Sequence, residues 1–187
     1  MRLNDPLTTS ISFEGICYPL DLAFDNVLDV LDVLADKSLF DWERIDVALN
    51  LTIGENELPT EKQIVLWKEI LNDYILLGKS KSVPKDRLGN PLPNSINKKK
   101  SVDLVKDAKY IYASFRQIGI NLFQEQGKLS WEEFQALLES LPDDAILSRI
   151  VQIREWRPSK GDSKEEKERM KLLQAKYSLE NESEEVE

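Results

Sequence analysis

Asp25, Asp29, Asp32 and Asp36 recur at i, i+4, i+7 and i+11, a spacing that sets four carboxylates along one ridge of a helix. Hard oxygen ligands in that number suit a divalent cation. Neighbouring positions on one helix nevertheless stand ~5–6 Å apart, and no loop follows that could wrap an ion as calcium requires, so the ridge reads as a solvated or partner-facing surface. The remaining side chains narrow the chemistry further. Histidine is absent, which removes the usual proton shuttle near neutral pH and the commonest transition-metal ligand. Cys17 is the single cysteine, so neither an internal disulfide nor a thiolate metal cluster can form. An enzyme would have to work with carboxylates, lysine or tyrosine, and no nucleophile-and-base pair or phosphate-binding loop is visible. No catalytic, cofactor-binding or metal-binding residue is assigned, and no cofactor is expected.

The chain of 187 residues carries 25 basic and 34 acidic groups, a net charge of -9. As a whole it should be repelled by nucleic acid and by anionic membranes. One segment runs against that sign. Residues 79–101 hold Lys79, Lys81, Lys85, Arg87, Lys98, Lys99 and Lys100 against Asp86 alone, among prolines, serines and asparagines, and read as a flexible basic loop. It lacks the interleaved aromatics of a single-strand binder, so a solvated linker or a tether to an acidic protein face is the expectation. There is no apolar run of about 18 residues and no basic flank before an apolar centre near the start, which leads us to expect a protein that stays in the cytoplasm of its cell.

The elements that would hold these groups are mostly helical. Ile11, Phe13, Ile16 and Tyr18 alternate around Glu14-Gly15, the pattern of a hairpin over about 10–19 with one apolar face. Between Leu22 and Ala35 a stripe of Phe24, Val27, Leu28, Leu31 and Leu34 lies opposite the acid ridge. A second helix is predicted from Asp41 to Leu51, ending by Gly54. A third opens at Leu58-Pro59-Thr60, with Thr60 and Gln63 at capping-box spacing, presents Ile64, Trp67, Leu71, Tyr74 and Ile75, and stops at Gly78.

After the basic loop, helical periodicity resumes from about Val102 to Ile118 with Gly119 as the stop. Ile111 and Phe115 share a face there and Tyr112 stands beside it, a packing stripe more than a recognition stripe. Ser130 and Glu133 form a capping box before Phe134, Leu137, Leu138 and Leu141. Asp143 is placed to cap the next helix, which ends at Arg157-Pro158. Tyr112, Phe115, Trp131, Phe134 and Leu137 are the expected core of this half. Ser163 and Glu166 open a charged last helix over about 164–177, on which Met170, Leu173 and Tyr177 make a narrow stripe that could dock on its own chain or on another. With Trp156 and Arg157, residue types favoured at binding hot spots, these three are the candidate partner-binding residues. Residues 178–187, with five glutamates among ten residues, read as a disordered acidic tail. The expected architecture is thus a mainly α, multi-helix single domain over 1–177 with a small N-terminal β-hairpin.

Asp107, Ala108, Ile111, Tyr112, Ala113 and Phe115, then Gly119, Ile120, Asn121 and Leu122, then Trp131, Phe134, Ala136 and Leu137 resemble the phage gene-product-fifteen family. ISFEGICYPLDLAF near the start, and IVQIREWR and KLLQAKYSL near the end, resemble the same family in the same order, so that the likeness spans most of the chain. Two positions depart from it, Ser130 where the family tends to carry histidine and Glu132 where it tends to carry an aromatic. The resemblance implies a tail assembly chaperone of phages of Gram-positive hosts, encoded just ahead of the tape-measure gene. Its implied partner is the tape-measure protein, with a neighbouring tail chaperone, the tail tube protein or a second copy as further partners. Its implied place is the host cytoplasm during assembly and not the finished virion. The alternative is a structural minor tail or connector protein.

Overall fold

The computed structural model describes residues 4–77 and 101–179. Those residues are mainly α, with seven α-helices and one two-stranded antiparallel hairpin. The basic loop, apart from Ser101, and the acidic tail from residue 180 onward lie outside the described residues, as does Gly78. The backbone separates into two compact units, 1–94 with 123–137 and 95–122 with 138–187.

In the first unit β1 (Ser10–Phe13) pairs with β2 (Ile16–Pro19), Ile11 facing Tyr18 and Phe13 facing Ile16. Glu14 and Gly15 both take positive φ, 51° and 83°, the mirror-image turn whose twist suits two right-twisted strands. Only Ile11 of the four apolar groups is buried, and Ile16 is exposed, so the face is covered at the open end of the hairpin and bare at its tip. From the hairpin the chain is pinned at Asp21, whose N–H donates to the Thr52 carbonyl at 2.8 Å while its carboxylate accepts the Ala23 N–H at 2.9 Å.

Helix α1 (Phe24–Ala35) buries Phe24, Val27 and Val30 and leaves Leu28, Leu31 and Leu34 half-buried. Phe24 and Val27 of the expected stripe are thus fully inward, Val30 joins them, and the chain continues into α2 (Asp41–Ile53). There Ala48, Leu49, Thr52 and Ile53 are buried, and the Thr52 hydroxyl satisfies itself on the Ala48 carbonyl at 2.9 Å. Gly54 ends the helix at φ 80°.

The N-terminus of α3 (Thr60–Glu69) differs from the expectation. Pro59 is the cap and Thr60 the first helical residue. Gln63 does not reach back to a cap; its amide is buried and donates to Asp46 at 2.8 Å and Asn56 at 3.4 Å, joining α3 to the α2 side. Beyond Glu69 the helix loosens into a π-helical turn, Ile70–Ile75. Trp67 and Ile75 are buried as expected, Leu66 and Ile70 are buried as well, and Ile64, Leu71 and Tyr74 are half-buried, the wider turn setting Ile75 five residues after Ile70 on the inward side.

Helix α5 (Trp131–Glu139) begins with the reciprocal cap read from sequence: Glu133 accepts the Ser130 N–H at 3.0 Å, and the Ser130 hydroxyl accepts the Glu133 N–H at 3.3 Å. Its residues up to 137 belong to the first unit. Phe134 stacks on Phe24 at 5.1 Å and on Trp131 at 5.6 Å between centroids. The Trp131 indole N–H donates to the Ile75 carbonyl at 2.8 Å, which satisfies both the buried indole and a carbonyl at the end of the π turn.

The second unit holds α4 (Ala108–Gln117), α6 (Ile146–Glu155) and α7 (Lys164–Lys176). Residues 104–107 are turn and 102–103 have no regular structure, so α4 starts later than periodicity suggests. The reason is Asp103, whose carboxylate takes the N–H groups of Val105 and Lys106 at 3.0 Å each and holds that stretch in a local turn. Gly119 at φ 88° closes α4, with Ile120 N–H donating to Phe115 at 2.9 Å and Gly119 N–H to Arg116 at 3.1 Å, the paired bonds of a Schellman end. Ile111, Phe115, Leu147 and Ile150 form the apolar centre. Ser114, fully buried, donates to the Tyr110 carbonyl at 2.8 Å and accepts the Leu147 N–H at 3.1 Å, so one hydroxyl joins α4 to the start of α6. Ala145, not Asp143, is the cap residue of α6, and Asp143 is exposed.

Candidate functional site

A hollow among Leu7, Thr8, Leu22, Tyr74, Ser130 and Glu132 offers about 20 Å³, room for one water and none for a substrate. Among the described residues no three Cys, Asp or Glu side chains converge as metal ligands would. No helix among them is long and apolar enough to cross a membrane. Of the acid ridge, Asp25 is half-buried and accepts the Gly127 N–H at 2.9 Å, whereas Asp29, Asp32 and Asp36 are exposed.

The sequence-selected partner residues all lie in the second unit, around the junction of α6 and α7. Trp156, Met170, Leu173 and Tyr177 are each half-buried and Arg157 is exposed. No residue of α7 is fully buried, as its composition of alternating charges requires. The helix is held chiefly by polar bonds at its last turn. Gln174 donates its amide to three carbonyls at the end of α6, those of Trp156 at 2.8 Å, Ile153 at 3.0 Å and Arg154 at 3.3 Å. They lie at the helix C-terminus, where carbonyls run out of intrahelical partners; that of Ile153 also accepts the Trp156 N–H at 3.3 Å. Tyr177 adds an edge-on ring contact with Tyr110 at 6.1 Å, and Lys106 donates to the Leu179 carbonyl at 2.6 Å. Ser163 caps the other end of α7 by accepting the Glu166 N–H at 3.1 Å, and Lys164 lies 4.0 Å from Glu168.

Arg154 organises this junction, and sequence reasoning passed it over. Its guanidinium makes a two-pronged pair with Asp107, 2.7 Å on each arm, and donates also to the carbonyls of Ser101 at 2.9 Å and Tyr177 at 2.6 Å. Asp107 is buried and further accepts the Asp103 N–H at 2.9 Å. Arginine suits the place because its planar fork matches a carboxylate and still has donors left for two carbonyls. The only sequence signal would have been a lone arginine on the inward side of α6. Tyr112 and Leu137, expected in the core, are half-buried, while Phe115, Trp131 and Phe134 are buried, Trp131 to 4% exposure.

The first unit contributes a surface that periodicity did not single out. Phe40 and Trp42, at the entrance to α2, are 69% and 56% exposed. Helix α2 carries half of a capping box there: the Glu43 carboxylate accepts the Phe40 N–H at 2.8 Å, and phenylalanine has no oxygen to return the bond.

No curated protein and no solved structure matches the chain. Over residues 3–179 it matches the family described as Bacteriophage Gp15 protein. That span takes in the hairpin and the seven α-helices of the described residues, and the chain therefore belongs to the Bacteriophage Gp15 protein family.

Proposed function

We propose that this chain is a phage tail assembly chaperone that binds the tape-measure protein in the host cytoplasm and keeps it soluble until the tail tube forms. The observation that carries the proposal is the family match across nearly the whole chain, together with the chaperone role that the resemblance implies. Two physical features support it. Phe40, Trp42, Val65, Val105 and Leu172 remain exposed on a folded protein, so apolar side chains are available to cover those of a client. The net charge of -9 gives a complex the repulsion that keeps copies apart.

Such work asks only for binding, and the proposal includes no covalent step. The half-buried residues Trp156, Met170, Leu173 and Tyr177, with Arg157, are a second candidate contact region. Affinity capture of the tagged chain from infected cells tests the proposal, with assembly intermediates and purified particles analysed side by side. Tape-measure protein should co-purify, and the chain should be present in intermediates and absent from particles. Stoichiometric presence in particles would replace the chaperone by the structural tail or connector reading.

A further inference from the structure

We infer that α7 is a releasable strap, which leaves its seat on the second unit and returns to it while α4 and α6 stay packed. The two parts of the unit are held very differently. Helices α4 and α6 share a dry centre of Ile111, Phe115, Leu147 and Ile150, and the buried Ser114 hydroxyl ties one to the other. Helix α7 has no buried residue; Met170, Leu173 and Tyr177 are half-buried, and Leu172 is 73% exposed. The hydrophobic gain that opposes separation is therefore small for α7 and large for the α4–α6 pair.

What holds α7 is a catch at one end. Among the described residues, the hydrogen bonds that join it to the unit come from Gln174 and the residues after it: the Gln174 amide donates to the end of α6, the Tyr177 carbonyl accepts from Arg154 Nε, and the Leu179 carbonyl accepts from Lys106 Nζ. The other end is tied locally. Ser163 caps the helix, and the connection before it closes on itself, the Asp162 carboxylate accepting the Ser159 N–H at 2.6 Å and the Ser159 hydroxyl at 2.9 Å. Arg157, Pro158, Ser159, Lys160 and Gly161 are all exposed, so the connection can swing without uncovering apolar surface.

The groups that release frees are ones water can satisfy: carbonyls at helix ends, the Nε of Arg154 and the ammonium of the exposed Lys106. The Arg154–Asp107 pair stays closed, because its two bonds use the terminal guanidinium nitrogens and neither involves α7. No buried charge is left alone when the strap departs, and the remainder of the unit keeps its fold. Once free, a charged helix of 13 residues is marginal in water. It frays in the open state, and its amides report each opening.

Hydrogen exchange of the full chain, read helix by helix over a series of low urea concentrations, tests the strap. The amides of α7 should exchange about a hundredfold faster than the slowest of α4 and α6, with a shallower dependence on urea. Gln174→Ala removes the catch from the side of the strap and should speed α7 roughly tenfold further while α4 and α6 keep their rates. Lys106→Ala acts from the side of the seat, at an exposed position, and should speed α7 by a smaller factor. Exchange of α7 that matches α4 and α6 in rate and urea dependence would overturn the inference, since the helix would then open only with the whole unit. So would an α7 without protection in the parent, or a Gln174→Ala variant that leaves α7 unchanged or speeds all three helices equally.

Discussion

The guanidinium of Arg154 and the carboxylate of Asp107 form a pair whose removal by halves should be costly. Asp107 is 1% exposed, and a carboxylate at that depth depends on its partner to offset the water it has lost. Arg154→Met should destabilise the second unit by about 3–5 kcal/mol, read as a lowered urea midpoint. Asp107→Leu added to Arg154→Met should recover much of the loss, because the unpaired charge goes with it. A single variant as stable as the parent would contradict the hub.

At the opposite extreme Asp36 is exposed, and its carboxyl is held below its ordinary value of 3.8 by the hydroxyl and N–H of Ser38. A depressed carboxyl contributes stability that is present above the unfolded pKa and lost as pH falls through the folded one. An NMR titration should place Asp36 below 3.8, and Ser38→Pro should return it toward that value. At this scale the sequence told most where the hydrogen-bond partner is local. The Ser130–Glu133 box could be read directly because both its bonds close within three residues. Gln63 could not, since its partners, Asp46 and Asn56, are supplied by packing. Arg154 reaches Asp107 across 47 residues and was equally invisible.

Among the elements, helix existence followed periodicity, and the errors cluster at ends where an unanticipated turn competed. Asp103 held residues 102–107 out of α4. The π turn after α3 left the expected Trp67 and Ile75 inward but put Ile70 there in place of Leu71 and Tyr74, and the five-residue step from Ile70 to Ile75 is one that 3.6-residue periodicity cannot encode. The hairpin was legible in register because Glu14-Gly15 fixes the turn, but its degree of burial was not, and Ile16 stays exposed. The stop at Gly119 was legible for a sound reason: a Schellman end needs a left-handed residue. An added Cβ at Gly119 would meet nothing within 4 Å, so the penalty there is conformational alone. Gly119→Ala should cost ~1–2 kcal/mol in equilibrium unfolding and Gly119→Asn less, since asparagine tolerates that backbone better. Equal stability of all three would mean that α4 can end by another route.

For the whole molecule, composition indicated an acidic chain and periodicity a mainly helical one, and the family match over residues 3–179 places it among phage proteins. The Phe40–Trp42 surface could not be found the same way. Trp42 sits on a stripe that looks like core in any helical wheel, and only the packed unit shows that its covering ends before Trp42 is reached. Client binding makes the most direct claim about this molecule, and solubility is its most direct measure. The tape-measure protein of the same phage, expressed alone and then with this chain, should move from the pellet to the supernatant in proportion to the chain supplied and elute with it as one complex on size exclusion. A tape-measure protein that partitions into the pellet to the same extent with and without the chain, with no complex in the eluate, would contradict the account.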